Sequence, residues 1–363
     1  MNLNNKLDNL PLHFIVGAGR SGTTLLRAML NAHPRISCTP EVKPIMTFYH
    51  YANYSPLPKQ LITDFVKFNK LRYGSKALKK KFDSTQHGGI SFEDFVAVLQ
   101  NQLPNLNYGN FCKLALLYLN RADKTIDNTD LLVDKNPGYT FNVEALLQLY
   151  PQAKVAVAIR DYRSYALSQK QSQANNLFSR FLGRRATTSA YFWQLHYTEV
   201  IRLQQKYPGQ ISMIAYEDLI TNKKDTLQSL CNFWQISLHD NMLHHEQHLT
   251  TADEPDDDTL SERQQKTKGD VSKTTFTNRL EAWKNELSPA EIQTCEAICG
   301  ETGTQFGYLP TQNISNTQRF WVYLSGALPI AITYISTQLF MKHYYSLPLV
   351  VRNFLIKYLK FRH

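Results

Sequence analysis

The chain is predicted to be an α/β protein, a three-layer, P-loop-like fold with a central parallel sheet, a helical insertion and a C-terminal helical tail. Three observations lead there. Short apolar runs alternate with helical patterns, which implies a parallel sheet covered on both faces. The first run ends in a glycine-rich turn that opens at once into an apolar-faced helix. And 363 residues can bury a large core, with about one to three domains as the expectation from length.

The strands are read from Leu12 to Val16, Leu131 to Val133, Val155 to Ile159 and Ile211 to Ala215, with a short one from Arg35 to Cys38. Each is apolar and brief, as a strand buried on both faces should be. Leu25, Leu26, Met29 and Leu30 make one helix face, and Val143, Leu146, Leu147 and Tyr150 another. Residues 57–128 have helical character with polar gaps and read as an insertion over the sheet. Residues 251–272 turn polar and charged and read as a surface loop. A helix is expected from Asn278, ending before Ser288-Pro289, with Ser288 capping the next. No internal repeat is visible. The main unit is thus expected over 11–310 and a distinct tail over 311–363.

The tail is unusual in charge and hydropathy. Of a formal net charge of +10, six positive charges (Arg319, Lys342, Arg352, Lys357, Lys360 and Arg362) follow Glu301, and no acid does. Phe320 to Met341 is a run of 22 residues without a formal charge, long enough to span a bilayer. Beyond it, Leu349, Val350, Phe354, Leu355, Tyr358 and Leu359 oppose Arg352, Lys357, Lys360 and Arg362 across an expected helix. Two readings fit: a membrane-surface element, or a helical pair packed on the body or on a second subunit. Five scattered cysteines without a C-x-x-C pair argue for a reducing compartment. Cys295 and Cys299 read as helix-face residues. The N-terminus lacks a charged-then-apolar leader pattern, so the expectation is a cytoplasmic protein, with the tail as its one candidate contact to a membrane. No nucleic-acid partner is expected.

The glycine-rich turn carries the chemistry. Gly17-x-x-x-x-Gly22 has the spacing of a phosphate-binding loop, which would continue Lys-Ser/Thr. Here it continues Thr23-Thr24, and the cation, Arg20, lies inside the loop. Backbone N–H groups of such a loop and the following helix N-terminus point at an anion. Without the lysine that serves a triphosphate, ordinary ATP or GTP hydrolysis is not expected. The strand from Val155 to Ile159 runs into Arg160-Asp161, a cation first where a metal-binding acid would stand, and Asp134 is followed by Lys135. These positions suit an anion held by Arg, Lys and hydroxyls, with no metal. His244, His245 and His248 near an acidic run do not make a metal site, because adjacent histidines on a helix diverge.

In these residues the chain resembles the sulfotransferases that use 3′-phosphoadenosine 5′-phosphosulfate, closest in motifs to the carbohydrate, protein-tyrosine and bacterial branches. Gly19-Arg20-Ser21-Gly22-Thr23-Thr24 is similar to the family's loop for the 5′-phosphosulfate. Arg160-Asp161-Tyr162-Arg163 followed by Ser168 resembles its 3′-phosphate signature, and Tyr216-Glu217-Asp218-Leu219 a third motif. Order, spacing and strand context agree over about residues 11–310. The resemblance implies that Gly19 to Thr24 cradle the phosphosulfate and that Arg20 steadies the sulfuryl oxygens. It further implies that Arg160 and Ser168 bind the 3′-phosphate and that Tyr216 touches the nucleotide. A core aromatic is the alternative for Tyr216. Lys135 resembles the family lysine that contacts the sulfuryl group, with a solvated lysine as the alternative. Lys268, with Lys266, Gly269, Ser272 and Lys273, is similar to the late loop that closes over the donor.

An acceptor hydroxyl needs a base within hydrogen-bond reach. In the carbohydrate and protein-tyrosine branches a carboxylate follows the second strand, and Glu41 in Thr39-Pro40-Glu41-Val42-Lys43 matches it. Lys43 would steer an anionic acceptor or the sulfuryl group. The small-molecule branch uses a histidine instead, for which His50 and His87 are the candidates; His33, in an Ala-His-Pro turn, reads as structural. The expected activity is in-line, metal-independent sulfuryl transfer to a hydroxyl on a small molecule, glycan or lipid. The alternatives are a nucleotide kinase or NTPase with a degenerate loop, and a membrane-associated nucleotide-binding protein without catalysis.

Overall fold

The computed structural model describes residues 3–73, 91–120, 124–171, 186–249, 279–337 and 343–359. The expected loop at 251–272 with Lys266, Lys268 and Gly269 lies outside the described residues, as do Ser272, Lys273, His87 and Asn278.

Five strands form one parallel sheet, β1 (Leu12–Gly17), β2 (Ile36–Thr39), β3 (Leu131–Lys135), β4 (Val155–Ile159) and β5 (Ile211–Ala215), in the order β2-β3-β1-β4-β5. The expected strands are all present; β3 runs two residues further than expected and carries Asp134 and Lys135 within it. Side chains alternate across the sheet. Phe14 and Val16 join one core with Val155, Val157 and Tyr197. Ile15 joins the other with Val133, Ala156 and the Leu26, Met29 and Leu30 face of the helix Thr23–Ala32. This period of two on doubly covered strands is what makes the runs continuously apolar in sequence.

The register aligns the carboxyl ends. Ile15 lies opposite Lys135, Thr39 opposite Asp134, Gly17 opposite Ala158, and Ile159 opposite Ala215. All five chains therefore leave the sheet along one edge. β1 returns toward β2 on one side, and β4 leads to β5 on the other. The crevice between them is a topological switch point, where open α/β sheets place ligands.

Helices Gln60–Tyr73, Phe92–Gln102 and Tyr108–Tyr118 occupy the stretch expected to be helical. Phe65, Phe95 and Phe111 of these helices enter the same core as Phe14. Ser288 caps the helix Pro289–Thr304 with a full capping box, as its sequence implies. The helix before it is a single turn, Trp283–Glu286. Cys295 and Cys299 are buried on the longer helix.

The tail departs from a simple reading of its hydropathy in two places. The uncharged run does not form one long rod: it breaks at Gly326 into the helices Asn316–Ser325 and Ala327–Ser336. Among the described residues no helix is long and apolar enough to cross a membrane. A Cβ at residue 326 would sit 2.5 Å from the Thr187 methyl and 2.9 Å from the Val322 carbonyl oxygen, so glycine lets the break pack closely against the body. The last helix, Leu349–Leu359, is also turned differently from its expected polar and apolar faces. Arg352 is 1% exposed, whereas Val350 is 77% and Phe354 55% exposed. The buried guanidinium donates from Nε to the Leu347 carbonyl at 3.0 Å. Ahead of it, Tyr344 and Tyr345 are part of the main core.

Burial holds the imidazoles of His13, His33 and His196 down at about 4. Between pH 6.5 and 4 the unfolded chain therefore binds more protons at these sites than the folded one, and stability falls with pH. Asp134, raised by burial to about 7, and Glu217, also raised, act in the opposite sense. Three strongly lowered imidazoles outweigh them. The thermal unfolding midpoint should be lower at pH 5 than at pH 7; equal midpoints would show that these histidines are hydrated in the folded state.

Candidate active site

The loop after β1 is shaped by two steric demands. Gly17 has φ +131°, and a Cβ there would lie 2.2 Å from the Ala158 carbonyl oxygen of β4. Gly22 has φ +89°, and its Cβ would lie 2.5 Å from Cδ2 of Tyr216. Any side chain at either point would push β4 or Tyr216 away, so glycine is required at both. Gly19 differs: nothing lies within 4 Å of the Cβ direction. That open side is where a ligand can approach the loop backbone.

Tyr197, on the helix Ala186–Lys206, pins the loop from beneath. Its hydroxyl donates to the Ala158 carbonyl at 2.8 Å and lies 3.1 Å from Ser21 Oγ, while the Ala18 N–H donates to it at 3.4 Å. The Gly17 N–H donates to Thr140 Oγ1 at 3.1 Å. Ser21 is fully buried, so its hydroxyl serves the loop's own structure and only its backbone belongs to the anion-facing surface. Gly22 is the N-cap of the next helix and supplies no side-chain cap. Thr23 and Thr24 open that helix with its first N–H groups directed out of the turn.

Arg20 adopts φ +74°, a costly conformation for a residue with a side chain. It turns the guanidinium toward the helix Tyr162–Gln171, where Nε donates to Ser168 Oγ at 3.2 Å. The loop and the Arg160–Ser168 motif, about 140 residues apart, thus meet through their own side chains. Arg160 stacks on the Tyr216 ring at 4.4 Å and donates from Nη2 to the Arg279 carbonyl at 3.3 Å. Its Nε is buried without a hydrogen-bond partner among the described residues. Tyr216 is 8% exposed. It acts as a plate between Gly22 and Arg160.

The electrostatics are one-sided. Burial, then the charges of Arg160 and Arg279, pull the Arg20 guanidinium below its ordinary value. Burial and Arg279 also act downward on Arg160, against the favourable Tyr216 and Glu217. Nearby acids are engaged elsewhere. Asp161 accepts from Arg163 at 2.7 Å, and Arg163 also reaches Glu296 at 2.9 Å. Glu217 accepts from the Asp161 N–H at 3.1 Å and the Tyr308 hydroxyl at 2.8 Å. Among the described residues no carboxylate pairs with Arg20 or Arg160. A partly buried group of like charges held together in this way is complementary to a polyanion.

Beside this cluster, Lys135 Nζ, 5% exposed, pairs with Glu41 Oε1 at 2.7 Å, and the Glu41 side chain is 44% exposed. Thr39 Oγ1 donates to Asp134 Oδ1 at 3.4 Å, and Asn136 Nδ2 also bonds that oxygen. Asp134 is buried to 0% exposure and feels the positive charge of both Lys135 and Lys43. It ties the end of β2 to the end of β3 and so sets the spacing of Glu41 and Lys135. Lys43 is buried, with φ +59°, at the start of the short helix Pro44–Thr47. Among the described residues, Arg20 and Lys43 are two of the three other than glycine with a positive φ.

The edge therefore gathers Arg20, Glu41, Lys43, Lys135, Arg160, Ser168 and Tyr216. Lys268 is outside the described residues. His50 lies further along, exposed, and desolvation and then the charge of Arg352 lower its pKa. His33 has a structural role, accepting from the Arg35 N–H at 3.0 Å. Sequence reasoning missed Tyr197, Arg279 and the positioning part of Asp134. Tyr197 falls on a helix face with Trp193 and Val200, where it looks like any core aromatic.

A family model described as "Sulfotransferase family" matches residues 11–240. The chain is 26% identical to the protein-tyrosine sulfotransferase of Drosophila melanogaster over 252 residues, 66% of this chain and 41% of that one. It is 24% identical to protein-tyrosine sulfotransferase 1 of Danio rerio over 318 residues, 86% of this chain and 76% of the fish protein. It thus spans less than half of the fly relative and about three quarters of the fish one. The sulfotransferase domain of the Synechococcus PCC 7002 olefin synthase shares the fold, with a TM-score of 0.51 at 19% identity, covering 82% of this chain and 94% of the domain. The family match takes in all five strands and most of the edge they form, and on that extent the chain belongs to the sulfotransferase family.

Proposed function

We propose that this chain transfers a sulfuryl group from 3′-phosphoadenosine 5′-phosphosulfate to a hydroxyl acceptor, with Glu41 as the general base. The observation that carries the reading is the half-buried arginine pair, Arg20 and Arg160, which has no carboxylate partner among the described residues. The residues suit the donor on two further grounds: Arg160 Nε is a buried donor without a partner, and the loop is open at Gly19.

The donor supplies an activated sulfuryl group on a phosphate leaving group. The backbone of Gly19 to Thr24, with the Thr23 and Thr24 hydroxyls, holds the phosphosulfate. Arg160 and Ser168 hold the 3′-phosphate, and Tyr216 supports Arg160 from behind. Lys268 is assigned to closure over the donor. Arg20 and Lys135 stabilise charge that moves onto the leaving oxygen, and Lys43 adds positive charge on the acceptor side. Glu41 takes the hydroxyl proton as the acceptor oxygen bonds to sulfur. The sulfur–oxygen bond to phosphate breaks, and its electron pair leaves with 3′-phosphoadenosine 5′-phosphate. Fixed cations fill the part that a metal plays in triphosphate enzymes.

The acceptor carries a hydroxyl on a small molecule, glycan or lipid; tyrosine is the named acceptor residue of the fly and fish relatives. Five free, buried cysteines suit a reducing, cytoplasmic setting. Phe320, Trp321 and Leu324, all more than half exposed, lie in the acid-free tail and support contact with an anionic membrane surface.

Glu41→Gln should lower kcat by about 100- to 10,000-fold while leaving donor affinity nearly unchanged; an active Gln variant would remove Glu41 as the base. Arg160→Ala should weaken binding of 3′-phosphoadenosine 5′-phosphate by about 1.5–3 kcal/mol, measured by calorimetry in EDTA. Tight nucleotide binding only with magnesium, and with ATP preferred, would favour the kinase or NTPase reading instead.

A further inference from the structure

A cavity of about 430 Å³ lies where the two chain segments that carry Glu41 and Lys135 meet the tail. Met46 and Tyr49 on one wall are five and eight residues beyond Glu41. Asn142 and Ala145 on the second are seven and ten beyond Lys135. Tyr345 and Leu347 of the tail close the third. The walls are tied together: the Met46 N–H donates to the Tyr139 hydroxyl at 3.4 Å, and the Tyr139 ring meets the Tyr345 ring edge-on at 5.8 Å. The Tyr108 hydroxyl donates to the Ile45 carbonyl at 2.5 Å. Arg352 fixes the tail wall through the Leu347 carbonyl.

The lining has one chemical character. It holds no carboxylate, lysine or arginine, and its one titratable base is the exposed His50, whose pKa is lowered by desolvation and by the charge of Arg352. Its size falls in the range of small-molecule sites, which are mostly apolar with a few fixed polar groups. One such group is present: Asn142, 8% exposed, has an Oδ1 with no hydrogen-bond partner among the described residues. The tail wall lies beyond residues 11–240 that the family model matches.

We propose that this cavity is the acceptor subsite, and that it takes an uncharged, largely apolar alcohol or phenol whose body fills the space while a second donor group bonds Asn142 Oδ1. The inference rests on the sulfuryl-transfer reading and narrows its acceptor. An acidic peptide bearing tyrosine is disfavoured, because the walls offer no cation to acidic side chains.

The test uses the full chain and two measurements. In the first, 2-naphthol is titrated without donor, and its own fluorescence reports binding. In the second, labelled sulfuryl transfer to 2-naphthol is compared with transfer to an acidic tyrosine peptide. Ala145→Phe and Ser346→Phe fill the cavity from opposite walls; Ser346 is exposed, so its variant leaves the core intact. Saturable 2-naphthol binding should weaken about tenfold or more in both variants, and KM for 2-naphthol should rise by a similar factor with kcat and nucleotide affinity nearly constant. Absence of binding, binding indifferent to both variants, or a peptide preferred over 2-naphthol would overturn the subsite. Binding that responds to both variants, with no transfer to either acceptor, would keep the cavity as a ligand site and count against the sulfuryl-transfer reading.

Discussion

The approach of β1 to β4 at Gly17 is the constraint on which the site depends. A methyl group there would collide with the Ala158 carbonyl at 2.2 Å. With only hydrogen in that place, the two central strands stay paired to their last residues. The loop after β1 and Arg160 after β4 then leave from adjacent points. Tyr197 joins the two by bonding both Ala158 and the loop. The same parallel register brings Lys135, at the end of β3, beside Glu41, two residues beyond β2.

Two groups of buried charge show opposite designs. Asp161, Arg163 and Glu296 balance one another, and Arg163 also lies 4.1 Å above the Trp283 ring. Such a network pairs its cation within the fold and holds the helix Pro289–Thr304 to the end of β4. Arg20 and Arg160 are held close without an acid of their own. Their proximity raises the energy of the folded protein alone and is relieved by a bound polyanion, which makes the region selective for highly charged ligands.

Much of this was legible in the sequence. The five strands could be placed because strands covered on both faces are continuously apolar. The loop, Arg160, Ser168, Glu41 and Lys135 were legible because glycines and charges at strand ends stand out against that background. What was not legible came from packing between distant segments. Tyr197 and Arg279 have no local signal, since their meaning lies in contacts with residues far away in the chain. The tail misled for a related reason. Periodicity gives Arg352 a solvent-facing polar side, but the Leu347 carbonyl and the Tyr344–Tyr345 turn draw it inward. Likewise, counting uncharged residues from Phe320 to Met341 could not reveal the break at Gly326, which a close contact with the helix Ala186–Lys206 imposes.

Tyr344 and Tyr345 share a core with Phe14, near the opposite end of the chain. The tail therefore completes an interior that the first strand begins. Residue 240, where the family-model match ends, is correspondingly not a boundary of the folding unit.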